Sequence, residues 1–216
     1  MLFRSLFNFA RSRGYLPKGQ PTEAGEIAKA KDRGGEIGIL TPKQLADLLT
    51  ASDEEAKLYF AIGAFTGLRS AELIRLEWED VNFARGHIQV GKGKAKTATR
   101  RLVPIQPNLM QWLSEYRGRA ELVFASEHAA YRSIAQAKEI IGDWPANALR
   151  HSYATYRIAQ CHDAARVALE MGNSAQMLFR NYRELADEQD AKAWFSIVPR
   201  PAANVVQIKR IANRGN

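Results

Sequence analysis

Two arginines stand out in the sequence, and the setting of Arg150 suits the binding of a phosphate. Arg69 occurs in TGLRSAEL (66–73) and Arg150 in NALRHSYATY (147–156), where most neighbours of Arg150 are apolar or aromatic. A guanidinium keeps its charge at neutral pH, so burying it without a partner is costly. Its forked donors match phosphate oxygens better than a lysine ammonium does. The stretch around Arg150 therefore predicts a buried cation whose anion comes from outside the chain.

An acidic residue follows the first arginine. Glu72 lies three residues after Arg69, close enough on a helix start to hold the guanidinium in one orientation. An ordinary surface ion pair at the start of a helix would explain the same spacing.

A tyrosine further along the chain could act as a nucleophile on a phosphate. In MGNSAQMLFRNYREL (171–185), Gly172 is predicted to end one helix and Ser174 to cap the next, which carries Tyr182 close to Arg180. A tyrosine on a helix more often belongs to the core or its rim. A phenol can nevertheless attack a phosphate in line if cations lower its pKa.

A basic segment separates two strand-like runs. GKGKAKTATRR (91–101) contains five cations and no acid, and its lysines alternate, so in an extended chain they face the same way. Such a ribbon could follow a DNA groove and release condensed counterions. A solvated hairpin tip explains the pattern equally well.

The composition favours a polyanionic partner. The 216 residues carry 31 Lys and Arg against 23 Asp and Glu, a net charge of +8, with a pI near 9.7. Such an excess indicates nucleic acid first and an acidic membrane surface second. The length suffices for one globular domain with a core and a short appendage.

Several classes of protein and site do not fit the sequence. The single cysteine, Cys161, excludes an internal disulfide framework, and no apolar run approaches the roughly 18–20 residues that span a bilayer. The histidines form no convincing ligand pair, so neither a metal nor a cofactor is expected. GKGKAKT also lacks the glycine spacing and the ending of a phosphate-binding P-loop.

Helix start signals predict a mostly helical body. Residues 41–44 (TPKQ) and 52–55 (SDEE) each have the form of a capping box. Ser70 is predicted to cap a further helix and Pro107 to begin another. The pattern from 128 to 193 is helical with two breaks.

Short β-branched runs predict a small sheet. HIQV (87–90) and LVPI (102–105) flank the basic segment and form a candidate hairpin, and ELVFAS (121–126) is a candidate third strand. The predicted fold is therefore mainly α with a small antiparallel β-sheet (α+β).

Four sequence boxes follow one another along the chain: TGLRSAEL, a basic hairpin ending RRLVPI, ALRHSYAT, and Gly172-Asn173 followed nine residues after the asparagine by Tyr182. Together they resemble the catalytic domain of the tyrosine recombinases, the phage integrase family. The resemblance runs from Leu40 to Tyr182 and more weakly to Pro199. It implies that family's catalytic fold.

The resemblance also divides the chain. Residues 1–15 resemble the last helix of the core-binding domain that precedes the catalytic domain in this family. Residues 16–39 are predicted to be a linker, 40–199 the catalytic domain and 200–216 a basic C-terminal tail. For the first twenty residues, a mitochondrial presequence or a basic surface helix is the alternative. With one helix of the preceding domain, the chain is expected to be a fragment, an internal start or a reduced member, and its DNA affinity and site choice are then expected to be weakened.

Catalytic roles follow from the resemblance. Arg69 and Arg150 would hold the scissile phosphate, and Tyr182 would attack it, forming a 3′-phosphotyrosyl link and freeing a 5′-hydroxyl. Lys96 would protonate the leaving oxygen, with Lys94 as the alternative.

Supporting roles follow in the same way. Glu72 would orient Arg69. DNA contacts are expected from five cations, namely Lys92, Lys94, Arg100, Arg101 and Arg180.

Two positions depart from the family pattern. Asn147 stands three residues before Arg150, where histidine is usual, and Asn173 stands where histidine or tryptophan is usual. An amide can donate a hydrogen bond to a phosphate oxygen, but it cannot exchange a proton near neutral pH, so any acid–base role is lost. His151 is an alternative proton acceptor, although a structural role is preferred for it.

The expected function is site-specific recombination or integration of double-stranded DNA through a 3′-phosphotyrosyl intermediate. A truncated, non-catalytic DNA-binding remnant and a type IB topoisomerase-like enzyme are the alternatives. Self-association as a tetramer on DNA, no membrane partner and a cytoplasmic, nucleoid-associated location in a bacterial or phage-like setting are also expected. Ala191 to Pro199 could dock on a neighbouring protomer or pack in cis.

Overall fold

The structure is a computed structural model, and it describes residues 2–17, 19–27, 37–91, 100–119, 122–124, 127–182 and 187–199. The chain divides into two units, Met1–Glu36 and Ile37–Asn216. In the first unit, α1 spans Leu2–Ser12 and α2 spans Glu23–Glu26. The segment predicted to be a linker therefore contains one helical turn.

The second unit is mainly helical, as predicted. Its helices are α3 Pro42–Ala51, α4 Glu54–Thr66, α5 Ser70–Ile74, α6 Pro107–Trp112, α7 Glu127–Ile141, α8 Ala148–Cys161, α9 Ala164–Met171, α10 Ala175–Tyr182 and α11 Glu188–Phe195. Short 3-10 turns occur at Trp78–Asp80 and Ser114–Tyr116. No helix in the described part of the chain is long and apolar enough to cross a membrane.

Three antiparallel strands form the predicted small sheet. β1 spans Val81–Asn82, β2 spans His87–Val90 and β3 spans Arg101–Pro104, in the order β1-β2-β3. Ile88 lies opposite Val103, and Val90 lies opposite Arg101. The predicted hairpin strands are confirmed, whereas β1 was not predicted.

The third predicted strand, 121–126, is wrong for the residues that are described there. Leu122 makes only an isolated antiparallel bridge to Glu77. Residues 123 and 124 are not in a strand, and the backbone N–H of Val123 donates to the carbonyl oxygen of Leu76 at 2.8 Å.

The core is built around α4. Its apolar residues surround the helix on every side, and α3, α7 and α8 pack against it. From α11, the fully buried Trp194 stacks on Tyr156 at a ring-centroid distance of 4.5 Å and donates its indole N–H to the carbonyl oxygen of Ala64 at 3.2 Å. Of the two alternatives for Ala191 to Pro199, α11 therefore shows packing in cis.

The caps agree with the sequence at α3 and differ at two other helices. Thr41 and Gln44 form the predicted capping box. At α4 the cap is Asp53, whose side chain accepts from the backbone N–H of Ala56 at 2.8 Å, while the predicted cap Ser52 is buried. At α5 the cap is Arg69, so Ser70 is the first helical residue and the prediction that it caps the helix is wrong.

Gly67 provides a test of this packing. It ends α4 with φ +63°, and a Cβ there would lie 2.4 Å from Cδ1 of Tyr153. We expect Gly67→Ala to lower the free energy of unfolding by about 2–4 kcal/mol, because left-handed backbone strain adds to the clash. Urea unfolding measures this loss.

Gly86→Ala is the matched control. Gly86 has φ +65° but nothing within 4 Å of its added Cβ, so only the backbone term of about 1–2 kcal/mol applies. Equal losses in the two variants would contradict the packing role of Gly67.

Candidate active site

Arg69 is fixed by the helix that it caps. Its backbone N–H donates to Oε2 of Glu72 at 2.9 Å, and its Nη1 donates to Oε1 of the same carboxylate at 3.0 Å. The Glu72 side chain is only 2% exposed. The alternative of an exposed surface ion pair is therefore wrong, because this carboxylate lies inside the protein.

Arg150 projects from the first turn of α8 and is 9% exposed. Its guanidinium donates to the carbonyl oxygens of Gly67 and Met171, the latter at 2.8 Å. These carbonyls lie at the C-terminal ends of α4 and α9, where the helix dipoles concentrate partial negative charge. Two helix ends thus help to stabilise this buried cation.

Asn173 joins the two arginines. Its Oδ1 accepts from Nη2 of Arg69 at 3.2 Å and from Nη2 of Arg150 at 2.9 Å. Both guanidiniums only donate, so the amide oxygen faces them and the amide NH₂ is turned away as a donor. Residues 69 and 150, far apart in the sequence, therefore meet at one oxygen atom.

Arg101 occupies a different position from the one expected of a DNA-contacting cation. Its side chain is 8% exposed, and its two terminal nitrogens donate to both oxygens of Glu72 at 3.0 and 2.6 Å. Its Nε donates to the carbonyl oxygen of Glu170 at 3.0 Å. The guanidinium is thus occupied inside the protein, and Arg101 joins the site through Glu72.

Carbonyl oxygens complete the site. Arg69 also donates to the carbonyl of Gly172 at 2.7 Å. The acceptor roles of Gly67, Met171 and Gly172 were not predicted from the sequence. The glycines in TGLR and MGN were the available signal, since a left-handed glycine often ends a helix and leaves its last carbonyls pointing outward.

Asn147 lies at the N-cap of α8 in the left-handed region, with φ 56° and ψ 28°, and is exposed. Asparagine tolerates this conformation better than most residues. His162 is the other non-glycine residue with positive φ in the described segments, so the chain also accommodates histidine in this backbone geometry.

The ionisation of two residues is shifted by their surroundings. Burial alone would raise the pKa of Glu72, but hydrogen bonds from Arg101 and Arg69 outweigh it and leave that pKa below its ordinary value. Burial, together with the adjacent Arg150 charge, lowers the pKa of His151. The imidazole of His151 is therefore neutral at pH 7.

The remaining expected site residues are described incompletely or not at all. α10 ends at Tyr182, with the backbone N–H of Met177 donating to Oγ of Ser174 at 3.3 Å. Arg100 is exposed beside β3. The expectations for the three lysines of the hairpin and for two side chains of α10 lie outside the described part of the structure: Lys92, Lys94, Lys96, Arg180 and Tyr182.

Histidine, cysteine and carboxylate side chains are the usual ligands of a metal ion in proteins. Within the described ranges, no group of three or more His, Cys, Asp or Glu side chains could hold a metal ion. The cations in this site are guanidiniums.

The buried carboxylate makes stability depend on pH. Because the folded-state pKa of Glu72 is below the ordinary 4.5, its ionisation stabilises the fold above that pH, and the stabilisation is lost as pH falls through the lowered pKa. We expect Glu72→Gln to cost about 3–5 kcal/mol at pH 7, since it breaks a buried ion pair. The difference should shrink towards pH 3, in urea titrations.

The control for this prediction is Glu139→Gln, an exposed carboxylate on α7. We expect its unfolding free energy to follow that of the unchanged protein across the pH range. A Glu72→Gln loss that stays constant from pH 7 to pH 3 would contradict a role for the ionised carboxylate.

The chain is similar to known proteins of one family. The family model described as Phage integrase family matches residues 39–189. Tyrosine recombinase XerD of Pasteurella multocida (strain Pm70) is 28% identical over an alignment 178 positions long, which covers 69% of this chain and 59% of the relative. XerD of Staphylococcus epidermidis (strain ATCC 12228 / FDA PCI 1200) is 24% identical over an alignment 222 positions long, gaps included, which covers 91% of this chain and 74% of the relative.

Solved structures share the fold. XerA recombinase superimposes with a TM-score of 0.58 at 21% identity, covering 76% of this chain and 66% of that one. A lambda integrase(75-356) dimer bound to a COC′ core site gives a TM-score of 0.60 at 16% identity, covering 84% and 71%. The chain spans about three fifths of the P. multocida relative, 59% of its length. With the family model matching most of its length, this chain belongs to the phage integrase family of tyrosine recombinases.

Proposed function

We propose that this chain is a site-specific DNA recombinase that cleaves and rejoins double-stranded DNA through Tyr182. The observation that carries the proposal is the meeting of Arg69 and Arg150 at the Asn173 oxygen, which sets two forked cationic donors side by side. Two guanidiniums at this spacing suit the non-bridging oxygens of one phosphate. The relatives named tyrosine recombinase, and a XerH recombinase structure described as a post-cleavage complex on its difH substrate, support the same reaction class.

The proposed reaction conserves the phosphodiester energy. The Tyr182 phenolate oxygen attacks phosphorus, the bond from phosphorus to the 5′ oxygen breaks, and a 3′-phosphotyrosyl link forms. Lys96, with Lys94 as the alternative, gives a proton to the departing 5′ oxygen. Rejoining runs these steps in reverse from a 5′-hydroxyl, so strand exchange needs no external energy source.

The arginines would supply the electrostatic part of catalysis. Negative charge accumulates on the non-bridging oxygens in the transition state, so fixed donors stabilise it more than the ground state. Arg150 is preorganised by two helix ends and Arg69 by Glu72, so neither has to be ordered when DNA binds. Preorganisation of this kind lowers the barrier without tightening the binding of uncleaved DNA.

The asparagines would keep hydrogen bonding but not proton transfer. With its oxygen facing the arginines, Asn173 has its NH₂ group available to donate to a phosphate oxygen. General acid–base assistance is typically worth about 10²–10⁴-fold, so cleavage by this site should be slow. His151, neutral at pH 7, is the alternative proton acceptor, and a structural role remains the preferred one for it.

DNA binding and assembly belong to the same proposal. The net charge of +8 favours a duplex partner, with Arg100, Arg180 and the hairpin lysines as the proposed contacts. Residues 40–199 would form the catalytic domain, and tetramers on DNA would bring two sites together for exchange.

Covalent trapping tests the nucleophile. We expect incubation with supercoiled plasmid and nicked duplexes, followed by a detergent quench, to yield protein joined to DNA. Tyr182→Phe should abolish the adduct because it removes the attacking oxygen. Tyr131→Phe, which changes an exposed tyrosine on α7, is the matched control and should leave the adduct yield unchanged.

The other outcomes separate the alternatives. Salt-sensitive DNA binding with no adduct would make the chain a non-catalytic DNA-binding protein. Plasmid relaxation through an adduct, without exchange between two duplexes, would make it a topoisomerase-like enzyme.

Restoring histidine at residue 147 tests the missing proton transfer. We expect Asn147→His to raise the cleavage rate by about 10–100-fold and to make it pH-dependent around 6–7, because an imidazole can exchange a proton there. Asn147→Gln, which enlarges the side chain without a titratable group, is the control. A rate that does not respond to histidine would place proton transfer elsewhere.

A further inference from the structure

Arg101 lies where the basic hairpin returns to the sheet. It is the first residue of β3 and pairs with Val90, and its side chain crosses from the sheet to α5 and α9. Three of its nitrogen atoms donate hydrogen bonds to two partners, Glu72 and the carbonyl of Glu170. A guanidinium bound in this way connects three elements of the fold.

The Glu72 carboxylate is held from two sides. Its Oε1 accepts from Arg69 and Arg101 at 3.0 Å each, and its Oε2 accepts from the Arg69 backbone at 2.9 Å and from Arg101 at 2.6 Å. Because each carboxylate oxygen accepts two hydrogen bonds, rotation of the carboxylate group would break them. The Arg69 guanidinium that bonds to it is thereby restricted as well.

Gly172 lies close to both Arg69 and Arg101, as Glu72 does. An added Cβ at this residue would lie 3.3 Å from Cδ and Nη1 of Arg101, while its carbonyl oxygen accepts from Arg69 at 2.7 Å. Arg101 therefore packs against the backbone turn that also holds Arg69. Glu72 and Gly172 together place Arg69 between fixed acceptors, and Arg101 contacts both of them.

We propose that Arg101 is a positioning residue, which acts through Glu72 to hold the Arg69 guanidinium in the orientation that receives the scissile phosphate. The role in cleavage rests on the proposed DNA-cleaving function. Arg101 itself does not contact DNA, since its side chain is buried and bonded to Glu72 and Glu170.

Kinetics on DNA test this role. We expect Arg101→Gln to slow cleavage at saturating DNA by about 10–100-fold, because a displaced catalytic group costs that much, while the Kd for DNA and its salt dependence stay near those of the unchanged protein. Arg132→Gln, which removes an exposed arginine from its ion pair with Glu55, is the matched control. It should alter neither the rate nor the affinity.

A double variant tests the route through Glu72. Residues that act as a unit lose activity non-additively, so Arg101→Gln combined with Glu72→Gln should be at most about threefold slower than the slower single variant. If Arg101→Gln alone unfolds, the double variant, which pairs two neutral amides, is compared with Glu72→Gln, and a rate more than about threefold below that variant would overturn the proposal. Multiplying losses would overturn the proposal.

Two further kinetic outcomes would overturn it as well. A weaker Kd with a reduced salt slope and an unchanged rate would make Arg101 a DNA contact. A substrate with sulfur at the 5′ leaving position needs no proton for departure. If this substrate restores the rate of Arg101→Gln, Arg101 acts through the hairpin lysine that donates the proton and not through Arg69.

A spectroscopic measurement separates this proposal from the cleavage reaction. In ¹⁵N-labelled full-length protein, we expect slowly exchanging Nη signals of Arg69, assigned by their loss in Arg69→Lys. They should broaden or disappear in Arg101→Gln and be partly retained in Arg101→Lys, with the other backbone amide signals preserved. Unchanged Arg69 signals would overturn the positioning role even if DNA is cleaved. Absence of cleavage by the unchanged protein would count against the proposed function alone.

Discussion

Repulsion between three neighbouring guanidiniums, of which Arg101 and Arg150 are buried, is the constraint that the rest of this site must satisfy. Arg69 and Arg150 approach one oxygen of Asn173, and Arg101 lies on the far side of Glu72. Like charges at this spacing are tolerated only where fixed oxygens surround them. The ends of α4 and α9, the capping carboxylate of α5 and one amide provide those oxygens, so the fold around the site is an arrangement of acceptors.

A second buried cluster fixes the helices that carry these acceptors. Tyr153 and Arg157 project from the same face of α8 as Arg150, and both donate to the carboxylate of Glu170 on α9. Arg166 adds a further hydrogen bond to that carboxylate at 3.2 Å. Burial and the neighbouring Glu170 carboxylate raise the pKa of Tyr153 well above its ordinary value, so its hydroxyl remains a donor. The α8–α9 pair therefore holds Arg150 and the Met171 carbonyl in one register.

Local patterns in the sequence predicted the elements better than they predicted the contacts. The capping box at Thr41 and the strands at 87–90 and 102–105 rest on neighbouring residues, and the structure confirms them. Ser52 and Asp53 are both good caps, and only the burial of Ser52 in the folded protein decides between them. A two-residue strand such as β1 is too short to show the alternation of apolar and polar residues that predicts a strand.

Within the site as well, only contacts between residues close together in the sequence could be predicted. The local pair of Arg69 and Glu72 could be inferred from a spacing of three residues. The pairing of Arg101 with Glu72 spans 29 residues and that of Arg69 with Asn173 spans 104, and no periodicity reports contacts at such separations. Arg101 therefore looked like one more surface cation of a basic hairpin until the fold placed it beside a buried carboxylate.

The anchoring of α11 sets a mechanical limit on Tyr182, the proposed nucleophile. Trp194 stacks on Tyr156 and donates a hydrogen bond to the carbonyl oxygen of Ala64 in α4. Its helix, α11, begins at Glu188 after the Asp187 cap. Five peptide steps join Tyr182 to that cap, a contour of at most about 18 Å. While Trp194 stays in place, Tyr182 remains within that distance of Asp187. Delivery to a more distant phosphate would require extraction of a large aromatic side chain from the core.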